Sequence, residues 1–203
     1  LCANFLTLSE NRKRIKINKS PKIFTNKNYE IIKKNLPFNL TNDQEKVLNE
    51  INQDLLSNKR MFRIIQGDVG SGKTIVSLLS ILNVIKSGYQ CALMSPTEIL
   101  AKQHYILIKK IFKNENFDIE FLTGKTEYKL RKVILTNLLT GKIKLLIGTH
   151  ALFQKKINFN KLGLVVIDEQ HKFGVKQRIN LSQKGSDNTD VILMTATPIP
   201  RTL

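Results

Sequence analysis

Short apolar runs rich in β-branched residues alternate, from Thr41 onward, with longer stretches in which apolar residues recur at helical spacing. The stretches predict helices, and the runs predict strands near residues 61–66, 91–95, 118–122, 143–148, 162–168 and 190–195. Gly88 and Gly141 closely follow two of the helical stretches, where a left-handed cap is expected. This regular alternation predicts an α/β fold, with a doubly wound, mostly parallel sheet and helices on both faces.

Residues 1–35 follow a different pattern, with nine basic side chains, two acidic ones and little apolar periodicity. We interpret them as a basic connector or lead-in segment outside the core, and residues 36–203 as the globular domain. The chain does not begin with methionine and stops within a recognisable motif region. We therefore expect it to be part of a longer protein.

The charge of the chain narrows the class of partner. A formal net charge of +17 over 203 residues favours a polyanion, with nucleic acid before an anionic membrane surface. No apolar run approaches the roughly 18 residues of a membrane span, and no secretory signal opens the chain. We therefore expect a soluble, intracellular protein. Cys2 and Cys91 lack disulfide or metal-ligand spacing, so both are expected to be free thiols, with Cys91 packed in a strand.

A glycine-rich loop directly follows the first predicted strand. It has the pattern G-x-x-x-x-G-K-T, formed by Gly67, Asp68, Val69, Gly70, Ser71, Gly72, Lys73 and Thr74. The glycines let backbone N–H groups turn toward a phosphate, and the helix that starts near Gly72 adds its positive dipole end. We expect Lys73 to reach the β- and γ-phosphates of ATP and the Thr74 hydroxyl to bind Mg²⁺. A helix-capping turn without a ligand is the alternative, which the lysine, the threonine and the preceding strand disfavour.

Two carboxylates lie at the end of the fifth predicted strand. A continuous apolar run, typical of a buried parallel strand, leads directly into Asp168 and Glu169. Asp168 suits Mg²⁺ coordination, and Glu169 suits orienting and deprotonating the water that attacks the γ-phosphorus. His171 is a candidate coupler between nucleotide and nucleic acid. A solvated acidic turn and a packed histidine are the alternatives. The upstream phosphate loop favours the catalytic interpretation, since open α/β sheets bind ligands outside the carboxyl ends of their strands.

Small polar residues follow four other predicted strands, at residues 95–98, 123–125, 148–150 and 195–198. Their hydroxyls and nearby helix-start N–H groups would form a track for a phosphodiester backbone that is bound without reading base sequence. Ordinary helix N-capping explains the same residues equally well. Thr41 and Gln44 likewise form a capping-box pattern.

Residues 36–203 resemble the RecG-type DNA helicases of superfamily 2 in seven successive segments, which run LPFNLTNDQ, IIQGDVGSGKT, ALMSPTEILAKQH, LTGK, IGTHALF, VVIDEQHKFGV and MTATPIPRTL. The resemblance implies a RecA-like P-loop NTPase fold and DNA-stimulated hydrolysis of ATP with Mg²⁺. It also implies action on replication forks and Holliday junctions in recombination and repair, in the bacterial cytoplasm at the nucleoid.

The resemblance assigns roles to residues at matching positions. It makes Gln44 the adenine-contacting residue and residues 67–74 motif I, and motif II is then Asp168, Glu169, Gln170 and His171. DNA-binding or coupling roles in motifs Ia, Ib and III fall to Pro96, Thr97, Glu98, Thr149, His150, Thr195, Ala196 and Thr197. Lys172 departs from the pattern, since the family usually has arginine there.

Two alternatives stay open. A transcription-repair coupling factor has a similar motor, but its loop usually reads GFGKT and its acidic motif DEEQ, so Ser71 and residues 168–171 favour the RecG type. The other alternative is a module that binds nucleotide and DNA without turnover. The RecG resemblance implies a wedge domain and a second RecA-like domain in the full-length chain. We expect the arginine finger from that second domain and not from Arg201.

Overall fold

The computed structural model describes residues 18–24, 36, 38–154, 156–169 and 189–196. Their strands form one sheet in the order β1-β6-β5-β2-β4-β3, and every neighbouring pair is parallel. The strands are β1 Phe62–Gln66, β2 Gln90–Met94, β3 Asp118–Leu122, β4 Ile143–Gly148, β5 Leu162–Ile167 and β6 Asp190–Thr195. All six strands predicted from the apolar pattern are confirmed, with bounds that differ by one residue at most.

The described residues also form four α-helices and one 3₁₀ helix, the first of them before β1: α1 Asn42–Leu56, α2 Lys73–Lys86, α3 Glu98–Ile111, α4 Tyr128–Leu139 and the 3₁₀ helix His150–Phe153. Alternate strand residues contribute to two separate hydrophobic clusters, because successive side chains of a strand point to opposite faces. The first cluster also contains residues of α1, α2 and α3, and the second contains Ile134 and Leu138 of α4. Helices therefore cover both faces, which confirms the doubly wound prediction.

The predicted helix ends are also confirmed. Thr41 caps α1 through a capping box, in which its hydroxyl accepts from Gln44 N while Gln44 Oε1 accepts from Thr41 N. Gly88 and Gly141 follow α2 and α4 with φ of 85° and 76°. That left-handed conformation is one that glycine adopts without steric cost, so both residues end their helices as predicted.

Residues 18–24 differ from the lead-in that their composition predicts. Lys19 and Lys22 are buried, with relative exposures of 5% and 0%. Both ammonium groups donate to Asp190 Oδ2 at 2.6 Å, and the backbone N–H of Met61 donates to Asp190 Oδ1 at 2.6 Å. Burial lowers the pKa of Lys19 despite the nearby carboxylate. This segment is therefore packed against the amino-terminal ends of β1 and β6, because two of its basic side chains find a buried anionic partner there.

Cys91 lies in β2 as predicted, fully buried and in no disulfide. Burial raises the pKa of its thiol, since a thiolate would lose its water. The thiol is therefore an inert packing group. Cys2 lies outside the described residues. Among the helices that the structure describes, none is long and apolar enough to cross a membrane.

Candidate nucleotide-binding site

The glycine-rich loop joins the carboxyl end of β1 to the start of α2. Gly70 and Gly72 both have φ of 83°, and Gly72 is the N-cap of α2 without a side chain to cap it. The first backbone N–H groups of α2 are therefore available to a ligand, at the end where the helix dipole is positive. Gly67 N donates to Thr195 O at 3.3 Å, which connects the loop to the end of β6. This geometry is that of an anion-binding loop.

Lys73 folds back over the loop. Its ammonium donates to Gly67 O at 2.6 Å and to Asp68 O at 2.7 Å. Phosphate oxygens would displace these carbonyls as acceptors, because hydrogen bonds to a charged acceptor are roughly twice as strong as those to a neutral one. Thr74 follows in the first turn of α2 and is half-buried. Lys73 and Thr74, predicted to bind phosphate and metal respectively, are therefore adjacent at the start of one helix.

Gln44 contacts this loop in a way that the sequence does not predict. Besides its bond to Thr41, its Nε2 donates to Ser71 O at 2.9 Å. A Cβ atom at Gly72 would lie 2.3 Å from the same nitrogen, so any other residue there would displace the Gln44 amide. Gln44 thus holds the loop against the start of α1. Its adenine-contacting role stays a prediction.

The acidic pair lies at the carboxyl end of β5, as predicted. Asp168 N donates to Met94 O at 2.8 Å, which continues the pairing of β5 with β2. Asp168 Oδ2 lies 2.9 Å from Nε2 of His104 on α3. Glu169 has φ of 50°, and no other non-glycine residue has a positive φ in the part of the chain that the structure describes. A strained backbone at a candidate catalytic residue costs about 1–3 kcal/mol and is typical of functional sites.

His104 is a site residue that the sequence-based assignment missed. It belongs to the ALMSPTEILAKQH segment, but only Pro96, Thr97 and Glu98 of that segment were assigned. Its partner Asp168 is 64 residues away in the chain. Nothing in the spacing of either residue signals the contact, because it depends on how α3 is rotated against the sheet.

The candidate DNA-binding residues lie at the same edge of the sheet, since all six strands are parallel. Thr97 caps α3 by accepting from Leu100 N, so the helix-capping explanation is confirmed for this residue. Glu98 forms an ion pair with Lys125 at 3.4 Å. Thr149 and Thr195 are buried, whereas His150 is exposed and Ala196 is half-buried. The structure places the described members of this set at one edge of the sheet, and their contact with DNA stays a prediction.

Several predicted residues lie outside the described part of the chain: Gln170, His171 and Lys172 after the acidic pair, Thr197 after β6, and Arg201. Their predicted roles rest on the sequence alone.

A magnesium ion fits the residues that are present. In the described part of the chain no three His, Cys, Asp or Glu side chains cluster as a metal cage. Mg²⁺ does not need one, because it is usually bound by one or two protein oxygens together with nucleotide phosphates and water. The hydroxyl of Thr74 and the carboxylate of Asp168 are hard oxygen donors of this kind.

Residues 41–203 match the family model described as DEAD/DEAH box helicase. The chain belongs to the DEAD/DEAH box helicase family. The matched range includes the phosphate loop around Lys73 and the acids Asp168 and Glu169.

Individual helicases are similar to the chain at high identity. It is 54% identical over 168 residues to the ATP-dependent DNA helicase RecG of Synechocystis sp., which covers 83% of this chain and 20% of that protein. It is 52% identical over 170 residues to RecG of Bacillus subtilis, covering 84% of this chain and 25% of that protein. The solved structure of RecG bound to a three-way DNA junction matches with a TM-score of 0.84 and 43% identity, covering 96% of this chain and 26% of that one. The resemblance to RecG-type helicases is confirmed, and the chain spans about a quarter or less of their length.

Proposed function

We propose that this chain is the ATP-binding motor domain of a RecG-type helicase that acts on branched DNA, including forks and Holliday junctions, in recombination and repair. The observation that carries the proposal is the intact phosphate loop at the same edge of the sheet as the acidic end of β5, in a chain about half identical to RecG helicases. Branched DNA as substrate is supported by the similar RecG structure, whose ligand is a three-way junction. Such a protein works at the nucleoid in the bacterial cytoplasm.

In the proposed site, the loop and the residues around it have separate tasks. The first N–H groups of α2 and the backbone of residues 67–72 bind the phosphates, and Lys73 exchanges its two carbonyl partners for β- and γ-phosphate oxygens. Glu169 orients the attacking water and accepts its proton. Gln44 keeps the loop in place while it contacts adenine.

Thr74 and Asp168 would hold Mg²⁺ together with the nucleotide phosphates. When bound, the ion neutralises charge on the phosphate oxygens and so lowers the barrier to transfer. Asp168 is prepared for this task, because both its backbone and its side chain are already bonded in the structure.

The strand-end residues would contact the DNA backbone and couple it to the nucleotide. They are Pro96, Thr97 and Glu98 before and at the start of α3, Thr149 and His150 after β4, and Thr195, Ala196 and Thr197 after β6. The bond between Gly67 N and Thr195 O gives the last group a direct connection to the phosphate loop. A wedge domain and a second RecA-like domain complete the proposed protein.

Lys73→Ala should abolish binding of Mg·ATP by this chain. The variant loses two charge-assisted hydrogen bonds to phosphate, which corresponds to a loss of affinity of about 100-fold or more. Isothermal titration calorimetry measures the affinity, and Lys110→Ala, an exposed lysine near the end of α3, is the matched control. Equal affinity of the wild-type chain and Lys73→Ala would refute the nucleotide site.

DNA binding by this chain should be weak and strongly salt-dependent. The net charge of +17 attracts phosphates, and each phosphate neutralised contributes a slope of about −0.9 to log K against log salt for duplex DNA. Fluorescence anisotropy with labelled linear and forked duplexes, between low and physiological salt, measures the slope. We expect about −3 or steeper for both substrates. An affinity that hardly changes with salt would contradict electrostatic backbone binding.

A further inference from the structure

Helix α3 carries a histidine to the acidic end of β5. His104 lies six residues after Glu98, where α3 begins, and its Nε2 is 2.9 Å from Asp168 Oδ2. The two side chains are 11% and 15% exposed, so the pair is largely shielded from water. Shielding strengthens a hydrogen bond between them, because water does not compete for either partner.

Asp168 is held at two independent points. Its backbone N–H donates to Met94 O at the end of β2, and its side chain is bonded by the helix that follows β2. An ionised carboxylate only accepts hydrogen bonds, so with Asp168 ionised the donor of this bond is His104 Nε2. Engagement of Oδ2 restricts rotation of the carboxylate about its side-chain torsions. It leaves Oδ1 as the oxygen for the metal or a metal-bound water.

We propose that His104 is a positioning residue that fixes the carboxylate of Asp168 for the Mg²⁺ of the bound nucleotide. This inference rests on the proposed function of the site. Groups that orient metal ligands from outside the coordination sphere typically contribute about 10–100-fold to metal affinity. His104 acts only through Asp168, so its effect should appear in Mg²⁺-dependent binding and not in the binding of nucleotide alone.

The test measures binding of a fluorescent ADP analogue to the 203-residue chain, titrated with Mg²⁺ from a chelated start. For His104→Leu we expect the Mg²⁺ concentration at half-maximal enhancement to rise about 10–100-fold, while the affinity in chelator stays unchanged. His104→Gln should restore most of the wild-type midpoint, because its amide can donate to Oδ2. Gln103→Leu, an exposed neighbour on the same helix, is the matched control and should titrate like the wild type.

His104→Asn keeps an amide on a shorter side chain and should behave like His104→Leu. It replaces the leucine variant in the test if that variant does not fold. A Mg²⁺ midpoint within twofold of the wild type for both variants would overturn the proposal. So would an equal loss of affinity with and without Mg²⁺ together with a lower melting temperature, because that result describes a purely structural contact. If the wild-type chain binds no nucleotide at any Mg²⁺ concentration, the proposed function fails as well, which separates the two outcomes.

Discussion

The chain by itself should hydrolyse ATP about 10³ to 10⁵ times more slowly than a protein in which the second RecA-like domain is joined to it. An arginine finger stabilises the charge that develops on the transferred phosphoryl group, and such a residue contributes this factor to the rate. Besides the arginine finger, the groups that we propose for the reaction are all in this chain: Lys73, Thr74, Asp168 and Glu169. Binding of ATP is therefore expected without fast turnover.

The arginines in the described part of the chain are bonded away from the phosphate loop. Arg60 donates to Thr189 O at 2.6 Å, Arg63 is paired with two carboxylates of α1, and Arg131 donates to the backbone of Thr123. None of these contacts is at the start of α2. We therefore expect none of these three arginines to act as the finger, which the RecG resemblance leads us to expect from a second RecA-like domain.

A steady-state ATPase assay, with and without forked DNA, compares this chain with a fusion in which it replaces the matching segment of the Bacillus subtilis relative. Glu169→Gln in the fusion is the control, since it should reduce turnover while leaving nucleotide binding intact. DNA-stimulated turnover by the short chain at the rate of the fusion would refute the prediction. Arg201→Ala would then show whether that residue acts as the finger.

Asp190→Asn should lower the free energy of unfolding by about 3–5 kcal/mol. The substitution preserves shape and the acceptor for Met61 N, but it leaves the buried ammonium groups of Lys19 and Lys22 without their shared carboxylate. Removing one partner of a buried ionic group costs more than the group contributed, because the remaining charge is still shielded from water. Urea unfolding followed by circular dichroism measures the change.

Two further variants separate this effect from a general loss of acidic charge. Asp118→Asn removes a half-exposed carboxylate that is 4.0 Å from Lys142, and should cost less than about 1 kcal/mol. Combining Asp190→Asn with Lys19→Met and Lys22→Met removes the whole charged cluster and should recover most of the lost stability. If the Asp190→Asn variant unfolds at the same urea midpoint as the wild type, the charged cluster contributes nothing to stability.

The sheet and the phosphate loop follow from local sequence, whereas the contacts around them do not. Buried parallel strands have continuous apolar runs, so all six were predictable, and the loop has its pattern within eight consecutive residues. Lys19 and Lys22 occupy a basic segment without periodicity, which predicts exposure. Their partner Asp190 follows them by 171 and 168 residues, and no local pattern reports so distant a pairing.

The site shows the same division. The positions of Lys73 in the loop after β1 and of Asp168 at the end of β5 were predictable, because each motif directly follows its strand in the chain. The bond from His104 to Asp168 depends on the rotation of α3, and the bond from Gln44 to Ser71 depends on the angle between α1 and the loop. These tertiary angles are set by packing of the whole core.

The order of the strands also has a consequence for synthesis of the protein on the ribosome. β1 lies at the edge of the described sheet with β6 as its neighbour, and the contact between Met61 and Asp190 closes a stretch of 129 residues. At about 5–20 residues per second, a nascent chain therefore waits roughly ten seconds with β1 unpaired. The phosphate loop, whose Gly67 N–H bonds to Thr195 O at the end of β6, lacks this support until β6 has been synthesised. Chaperones that shield apolar strands have this interval in which to act.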